Sequence, residues 1–288
     1  MSVSPESSFR KIAILAPGLI GGSLIRALRT RNFDSEIRVW ARRREAVIEL
    51  LATEGLVNFA STAIEEAVEG AELVILAMPV DVMAECVSKI EAFSEDALVT
   101  DVGSVKGLLE TEVAPLVRER GGRFIGGHPM AGSDQVGMAH ADPDLFEGAA
   151  VILTPESSED PAGVNRLKSF WEGVGADVSI LSAEDHDRVV AGISHLPHLV
   201  AAALVRTVLG KDSDTGKFSG GGFRDTTRVA RGPEAMWSGI LASNAPAISS
   251  QLGELISELE IWKQALDGLD REDLQRFLSE ARTLRESL

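Results

Sequence analysis

Short apolar runs that alternate with helical segments are the feature that most constrains the fold of this chain. Runs rich in Val, Ile and Leu predict buried strands of a parallel sheet, because such strands are covered on both faces. Four such runs lie early, at 11–15, 37–40, 73–77 and 98–101, and three strand-like runs follow at 123–126, 150–153 and 177–181. Helical patterns fill the intervals at 23–31, 44–54, 82–93 and 105–120. This order predicts an α/β domain with a doubly wound parallel sheet.

After about residue 182 the pattern becomes helical. Helices are predicted at 184–209, 234–242, 245–266 and 271–286. Between the first two lies the segment GKFSGGGFRDTTR, which we predict to be a loop because three consecutive glycines disfavour a helix. The sequence therefore predicts two domains, an α/β domain over 1–182 and an all-helical domain over 183–288.

The turn after the first strand, LAPGLIGGSL at 15–24, is close to a dinucleotide-binding loop. In the pattern G-x-G-x-x-G the second and third glycines let backbone approach a pyrophosphate and let the helix pack on the strand, and here they are Gly18 and Gly21. Ala16 replaces the first glycine, and we expect a negative φ there because Pro17 favours extended backbone before it. Glycines that serve packing alone are the alternative. The position between a strand and a helix favours a cofactor site in a Rossmann-type domain.

The end of the second strand carries arginines where an acidic residue would select NAD. The strand runs into Ala41, Arg42 and Arg43 with no carboxylate. Guanidinium groups there can bind the 2′-phosphate of NADP, whereas a carboxylate would bind the ribose hydroxyls of NAD. A solvated basic helix start is the alternative, yet cations oppose the helix dipole at an N-terminus. We predict NADP, with NAD as the second choice. The other predicted cofactor contacts are Leu19, Ile20, Met78 and Pro79.

Composition restricts the partners of the protein. A formal net charge of −16 argues against nucleic acid, because no basic surface would displace counterions from phosphates. The single cysteine, Cys86, cannot form an intrachain disulfide. The N-terminus has no apolar segment typical of a signal peptide, and we see no apolar run of membrane-spanning length. We therefore expect a cytoplasmic protein without a nucleic acid, membrane or metal partner.

Four further motifs occur in order: TDVGSVK (100–106), GGHPMAGSD (126–134), GISHLPHLVAAAL (192–204) and GGGFRDTTRVA (220–230). Together with the glycine turn they resemble the prephenate and arogenate dehydrogenase family over nearly the whole chain. The resemblance implies oxidative decarboxylation of prephenate, arogenate or both, with hydride transfer to NADP, in tyrosine biosynthesis. It also implies a homodimer, and the helix 245–266 agrees with this because it carries apolar residues on more than one face.

The resemblance places the catalytic base at His128, just after a strand end. Open α/β sheets bind ligands at the carboxyl ends of their strands, and an imidazole titrates near neutral pH, as a general base requires. Without the surrounding motif, a histidine bonded to backbone would be the default interpretation. Ser104 resembles the family's serine that hydrogen-bonds the reacting hydroxyl or the histidine; by itself it would be an N-cap.

The substrate site is expected on the helical domain. Arg228 falls at the position of the family's substrate arginine, and a guanidinium suits a carboxylate; a solvated arginine on a helix is the alternative. His195 and His198, on a helix that Pro197 interrupts, are spaced to lie near one face, with His198 the better substrate contact by resemblance. His186 precedes them and is expected to face the same cleft. The remaining substrate-site candidates are Ser133, Asp134, Gly221, Asp225 and Trp237.

Two other classes of protein compete with this interpretation. A dehydrogenase of the 3-hydroxyacid or 6-phosphogluconate type uses a lysine in its helical domain, but Lys211, Lys217 and Lys263 lie in no resembling motif. A non-catalytic NADP-binding sensor would not need the catalytic and substrate residues together.

On substrate choice, Asp134 favours arogenate or dual specificity, because a carboxylate attracts an ammonium group and repels a second carboxylate. A structural role for Asp134 is the alternative.

Overall fold

The computed structural model describes residues 9–132, 135 and 137–287. Ser133 and Asp134, two of the predicted substrate-site residues, lie outside the described residues. Within the described part, eight strands form one sheet: β1 (Lys11–Leu15), β2 (Glu36–Trp40), β3 (Phe59–Ser61), β4 (Leu73–Leu76), β5 (Leu98–Asp101), β6 (Arg123–Pro129), β7 (Ala150–Thr154) and β8 (Asp177–Ile180).

The strand order is β3-β2-β1-β4-β5-β6-β7-β8. Neighbouring strands are parallel except β6 and β7, which are antiparallel. The order reverses between β1 and β4, and the crevice at their carboxyl ends is where doubly wound sheets bind ligands. The predicted Rossmann-type sheet is confirmed, with one antiparallel pair that the apolar pattern does not reveal.

Helices cover the sheet and then form the C-terminal part of the chain. The helices in the described part are α1 (Leu19–Thr30), α2 (Arg44–Ala52), α3 (Ile64–Val68), α4 (Val80–Ser88), α5 (Gly107–Glu112), α6 (Ala114–Glu119), α7 (Pro161–Gly173), α8 (Ala183–Val190), α9 (Leu196–Leu209), α10 (Gly221–Thr227), α11 (Glu234–Ser243), α12 (Ala245–Asp267) and α13 (Arg271–Glu286). The predicted helical C-terminal domain is confirmed, and its boundary at residue 182 stays a prediction.

Both faces of the central strands are buried, which explains why β1 and β4 are apolar without alternation. Along β1, Ile12 and Ile14 belong to one core and Ala13 and Leu15 to the other, because successive side chains of a strand point to opposite faces. Trp171 of α7 is fully buried in the first of these cores. The central strands are thereby covered on both sides, and their carboxyl ends are left to line the crevice.

The secondary structure predicted for two segments was wrong. The helix predicted over 105–120 is two helices, α5 and α6, which meet at Val113, and Pro115 lies in the first turn of the second. The loop predicted around the three glycines is largely helical. Gly220 is the extended N-cap of α10, and a 3₁₀ turn, Arg228–Arg231, follows that helix. Glycine is tolerated at a helix boundary because the N-cap does not adopt helical backbone angles.

The residues Ala183–Leu209 form one continuous helix of 27 residues, comprising α8, a π-helical turn at Ala191–His195, and α9. By length and composition this helix could cross a membrane, so the expectation that no run reaches that length was wrong. It carries the buried polar side chains of His186, His195 and His198. We therefore interpret it as a helix of the folded domain. Pro197 does not interrupt it, because proline is compatible with the first turn after the π-helical segment.

Candidate active site

The turn between β1 and α1 is held by Ala16 in a backbone conformation that was not predicted. Its φ is +74°, whereas we expected a negative value. The Ala16 amide donates a hydrogen bond to the Trp40 carbonyl, 2.9 Å, and the Ala16 carbonyl accepts one from the Gly18 amide, 2.9 Å. These two bonds outweigh the preference that Pro17 imposes. They place an alanine where the usual glycine would avoid a strain of about 1–2 kcal/mol.

The glycines of this turn are suited to a dinucleotide. A Cβ on Gly18 would meet no atom within 4 Å, and Gly18 is the N-cap of α1, whose first amides lack partners within the helix. A Cβ on Gly21 would lie 2.6 Å from the Ala16 carbonyl oxygen and 3.2 Å from the Ala77 Cβ. Gly21 thus lets α1 pack on the strands, while open space beside Gly18 and free amide donors suit a pyrophosphate.

The other predicted cofactor residues border the same crevice. Leu19 and Ile20 form the first turn of α1, whereas Met78, which is buried, and Pro79, the N-cap of α4, follow β4. Arg42 and Arg43 follow β2 and are exposed. Within the described residues, neither arginine side chain has a hydrogen bond or ion pair. Two unpartnered cations at the end of β2 are available for a phosphate.

His128 lies at the end of β6 and is joined to a carboxylate through a second histidine. Its Nδ1 is 2.8 Å from the Nε2 of His186, and the Nδ1 of His186 is 2.8 Å from the Oδ1 of Asp187. Since a carboxylate only accepts, His186 donates from Nδ1 and accepts at Nε2. His128 must then donate from Nδ1, which leaves the lone pair on its Nε2. The chain of bonds therefore fixes the tautomer of His128 that can act as a base.

Burial keeps His128 uncharged. Loss of solvent lowers the pKa of His128 well below its ordinary value, and the positive charge of Lys106 lowers it further. The imidazole is consequently neutral, with Nε2 unprotonated, across the neutral pH range. A general base has to be in this state before it can take a proton.

Asp187 binds the loop of the TDVGSVK motif as well as His186. Its carboxylate accepts hydrogen bonds from the amides of Lys106, 2.8 Å, and Gly107, 2.9 Å, at the start of α5. Burial would raise the pKa of Asp187, but the hydrogen bonds from His186 and these amides outweigh it and lower the pKa. The Asp187 carboxylate, which orients the histidines, is thus also hydrogen-bonded to the segment that carries Ser104.

Ser104 lies in the loop between β5 and α5 and is half-buried. It is not the N-cap of the following helix, because that position is Lys106. Among the described residues its hydroxyl has no hydrogen-bond partner. The hydroxyl is therefore available for a substrate.

The predicted substrate histidines lie on the long helix. His195 is buried, and its Nδ1 is 3.1 Å from the side-chain Nδ2 of Asn244. The same Nδ2 also donates to the main-chain carbonyl of Asp187. Its Nδ1 is thus the acceptor, and its Nε2–H is a buried donor with no partner in the described part of the chain. Burial lowers the pKa of His195 to about 4. His198 stacks on Trp237 with the ring centroids 3.5 Å apart.

The segment with Arg228 lies next to these rings. Arg228 begins the 3₁₀ turn that ends before Gly232, and a Cβ on Gly232 would lie 3.0 Å from the Cε1 of His198. Arg228 is exposed and unpaired within the described residues, as is Asp225, whereas Gly221 begins α10. A hydrogen bond joins His128 to His186, and an edge-to-face ring contact joins His195 to Trp237. The structure places Arg228, Asp225 and Gly221 on the neighbouring turn, without a contact to His128.

Comparison with known proteins gives the family. One family model, the nucleotide-binding domain of prephenate dehydrogenase, matches residues 24–180, and a second, the dimerization domain of prephenate dehydrogenase, matches residues 182–280. The chain belongs to the prephenate dehydrogenase family. As a member of this family it is an oxidoreductase with a nucleotide-binding domain and a dimerization domain.

Individual relatives agree over nearly the full length. The chain is similar to the cyclohexadienyl dehydrogenase of Zymomonas mobilis, with 32% identity over 286 residues, 97% of this chain and 96% of that protein. The structure of Aquifex aeolicus prephenate dehydrogenase in complex with hydroxyphenyl propionate and NAD+ matches with a TM-score of 0.89 and 33% identity, covering 97% and 98% of the two chains. Synechocystis arogenate dehydrogenase matches with a TM-score of 0.84 and 30% identity, covering 96% and 99%.

The sequence analysis did not identify two residues of the site. Asp187 follows His186 directly in the segment EDHDR, and Asn244 lies between α11 and α12. A carboxylate next to a candidate histidine was a signal that could have been used. Asn244 gave no signal, because its partners Asp187 and His195 are 57 and 49 residues away in the sequence.

Proposed function

We propose that this chain catalyses the oxidative decarboxylation of prephenate, arogenate or both, with NADP as the oxidant, in tyrosine biosynthesis in the cytoplasm. The observation that carries the proposal is the chain of hydrogen bonds from Asp187 through His186 to His128. It ends at the carboxyl edge of the sheet, the same edge as the glycine turn after β1. A neutral base beside a cofactor crevice is what removal of a hydroxyl proton during hydride transfer requires.

In the proposed reaction His128 takes the proton of the C4 hydroxyl on its Nε2. The positive charge that forms on His128 is stabilised through His186 by the carboxylate of Asp187. Ser104 donates a hydrogen bond to the same oxygen. When bound, the nicotinamide supplies the acceptor for the hydride that leaves C4. The ring carboxylate then departs as CO2, its bond electrons complete the aromatic ring, and His128 returns the proton to the phenolate oxygen.

The substrate side chain is proposed to bind on the helical domain. Arg228 binds its carboxylate, and the unpartnered Nε2–H of His195 donates to a substrate oxygen, since a buried donor without a partner is unfavourable by about 1–3 kcal/mol. His198 and Trp237 form one wall through their stacked rings. Gly221, Asp225 and Ser133 complete the proposed substrate site.

The substrate assay decides the reaction. We expect purified protein with saturating NADP to release CO2 and reduce the cofactor with arogenate or with prephenate, and to be more efficient with arogenate. Asp134 motivates this preference, because a carboxylate attracts the ammonium group that only arogenate carries. A tenfold higher kcat/KM with prephenate would refute the preference. No turnover of either substrate would refute the proposed reaction itself.

The cofactor preference is tested at the end of β2. The double variant Arg42→Ala, Arg43→Ala is expected to lower the preference for NADP over NAD about tenfold, through a higher KM for NADP. Each lost charged hydrogen bond is worth on the order of 1.5–3 kcal/mol, and the exposure of these side chains reduces that contribution. Steady-state kinetics with both cofactors measure the change. Arg271→Ala, exposed at the start of α13, is the control. A wild-type protein that turns over faster with NAD at equal low concentration would contradict the proposal.

We also propose that the protein is a homodimer. Ile256, Leu259 and Leu266 of α12 are each about half exposed, at 48%, 56% and 57%. In the long helix Ala183–Leu209, only 28% of the most apolar 18-residue stretch is buried within one chain. The match to a dimerization domain supports a second copy as the partner. Light scattering at micromolar concentration should give twice the chain mass of 30.7 kDa. A mass near that of one chain would contradict the proposal.

A further inference from the structure

A buried ion pair lies behind His128 and has no role in the proposed chemistry. The side chains of Asp101, the last residue of β5, and Lys106, the N-cap of α5, are both fully inaccessible to solvent and form a salt bridge. Burial of two charges is unfavourable by several kcal/mol per ion before their attraction is counted, and apolar residues often replace such a pair without loss of stability. The pair therefore calls for an explanation other than packing.

The pair binds both backbone polar groups of the residue that precedes His128. The Nζ of Lys106 donates to the Gly127 carbonyl, 2.6 Å, and the Oδ1 of Asp101 accepts from the Gly127 amide, 3.0 Å. A Cβ on Gly127 would lie 2.8 Å from the Asp101 carbonyl oxygen, so only glycine allows this approach. The orientation of the peptide that leads into His128 is thus set by the two charged side chains.

The same two residues are bonded to the other parts of the site. The Oδ2 of Asp101 accepts a hydrogen bond from the Gly103 amide, 2.7 Å, directly before Ser104. The main-chain amide of Lys106 donates to Asp187, 2.8 Å, which orients His186. One pair of residues therefore connects the backbone beside the base, the backbone beside the serine, and the carboxylate of the hydrogen-bonded chain.

We propose that Asp101 and Lys106 are positioning residues for the reaction, which hold His128 and Ser104 in register with each other and set the electrostatic environment of the base. The inference rests on the proposed function, in which His128 is the base. Neither side chain touches the substrate or the cofactor in this proposal.

The titratable groups around His128 determine how it should titrate. Lys106 and Asp101 bind the Gly127 peptide directly before it, His186 of α8 binds its ring and is itself bonded to Asp187, and His195 lies on the π-helical turn. The charge of Lys106 lowers the pKa of His128. Removal of Lys106 alone leaves the anion of Asp101 uncompensated and should raise that pKa. Neutralisation of Asp101 alone leaves the cation uncompensated and should lower it.

The test compares Lys106→Met, Asp101→Asn and the double variant. Each single variant should lower kcat about tenfold or more, with the KM for NADP unchanged. The acid limb of the kcat/KM pH profile should move to higher pH in Lys106→Met and to lower pH in Asp101→Asn. A merely structural pair would move neither limb, or both in the same direction, and that result would overturn the proposal. Arg123→Met, which breaks the ion pair with Glu159 at the other end of β6, is the matched control.

Two further measurements make the result decisive. The double variant buries no net charge, so it should fold even where a single variant does not. Its kcat should stay reduced because the bond to the Gly127 carbonyl is lost, and a wild-type kcat would overturn the proposal. NMR titration of the His128 ring, assigned by its loss in His128→Asn, reads the pKa without turnover. A failed substrate assay is thereby distinguished from a failed positioning role.

Discussion

Replacement of His128 by asparagine is expected to lower kcat by about 10²–10⁴-fold, the usual contribution of a positioned general base. Asparagine keeps a donor that can bind the Nε2 of His186, so the hydrogen-bonded chain behind it has a partner. It has no nitrogen lone pair to accept the hydroxyl proton, which is why the loss should fall on kcat. The Kd for NADP should stay near the wild-type value, because His128 lies at the end of β6 and the glycine turn lies after β1.

Kinetics and a fluorescence titration with the cofactor measure the two effects separately. His140→Asn is the control, since His140 is exposed in a 3₁₀ turn outside the histidine cluster and its replacement should change neither value. A His128→Asn variant with near-normal turnover would remove the proposed mechanism.

Replacement of Arg228 by alanine is expected to raise the KM for the substrate about 30–100-fold, with a much smaller change in kcat. A bidentate contact between a guanidinium and a carboxylate holds the substrate side chain, and its loss affects the bound ground state and the transition state alike. Arg228→Lys should recover only part of the affinity, because lysine cannot form the planar pair of bonds.

Initial-rate measurements over a range of substrate concentrations give the split between KM and kcat. Arg231→Ala, at the end of the same 3₁₀ turn, is the matched control and should leave KM within a few-fold of wild type. Equal losses in the two variants would show that the turn contributes general positive charge and that Arg228 has no specific role.

The parts of the fold that the sequence predicted are those with a strong local pattern. The strands β1 and β4 are nearly continuous apolar runs. The turn with Gly18 and Gly21 has the glycine spacing of a nucleotide-binding turn between a strand and a helix. His128 was predicted because it lies in a motif just after the predicted strand 123–126, which the structure extends to Pro129. Each of these features is contained within a few consecutive residues, so it can be recognised without knowledge of the fold.

The parts that were missed depend on contacts between distant residues. The φ of Ala16 is set by a hydrogen bond to Trp40 on another strand, against the local effect of Pro17. The strand β3 has three residues, too few to show a period, and forms by pairing with β2. Asp187 acts through atoms of α5 and His186 that only folding brings together.

The π-helical turn at Ala191–His195 determines which way the histidines of the long helix point. A residue of an α-helix turns the chain by about 100°, so the interval from His186 to His198 would leave their side chains about 120° apart in an unbroken α-helix. A π-helical turn takes up one extra residue, which rotates everything after it back by about 100°. His198 then lies within about 20° of the azimuth of His186, and His195 within about 80° instead of 180°. One extra residue in the winding thus brings His198 onto the side of the helix that carries His186, whose ring binds His128 of β6.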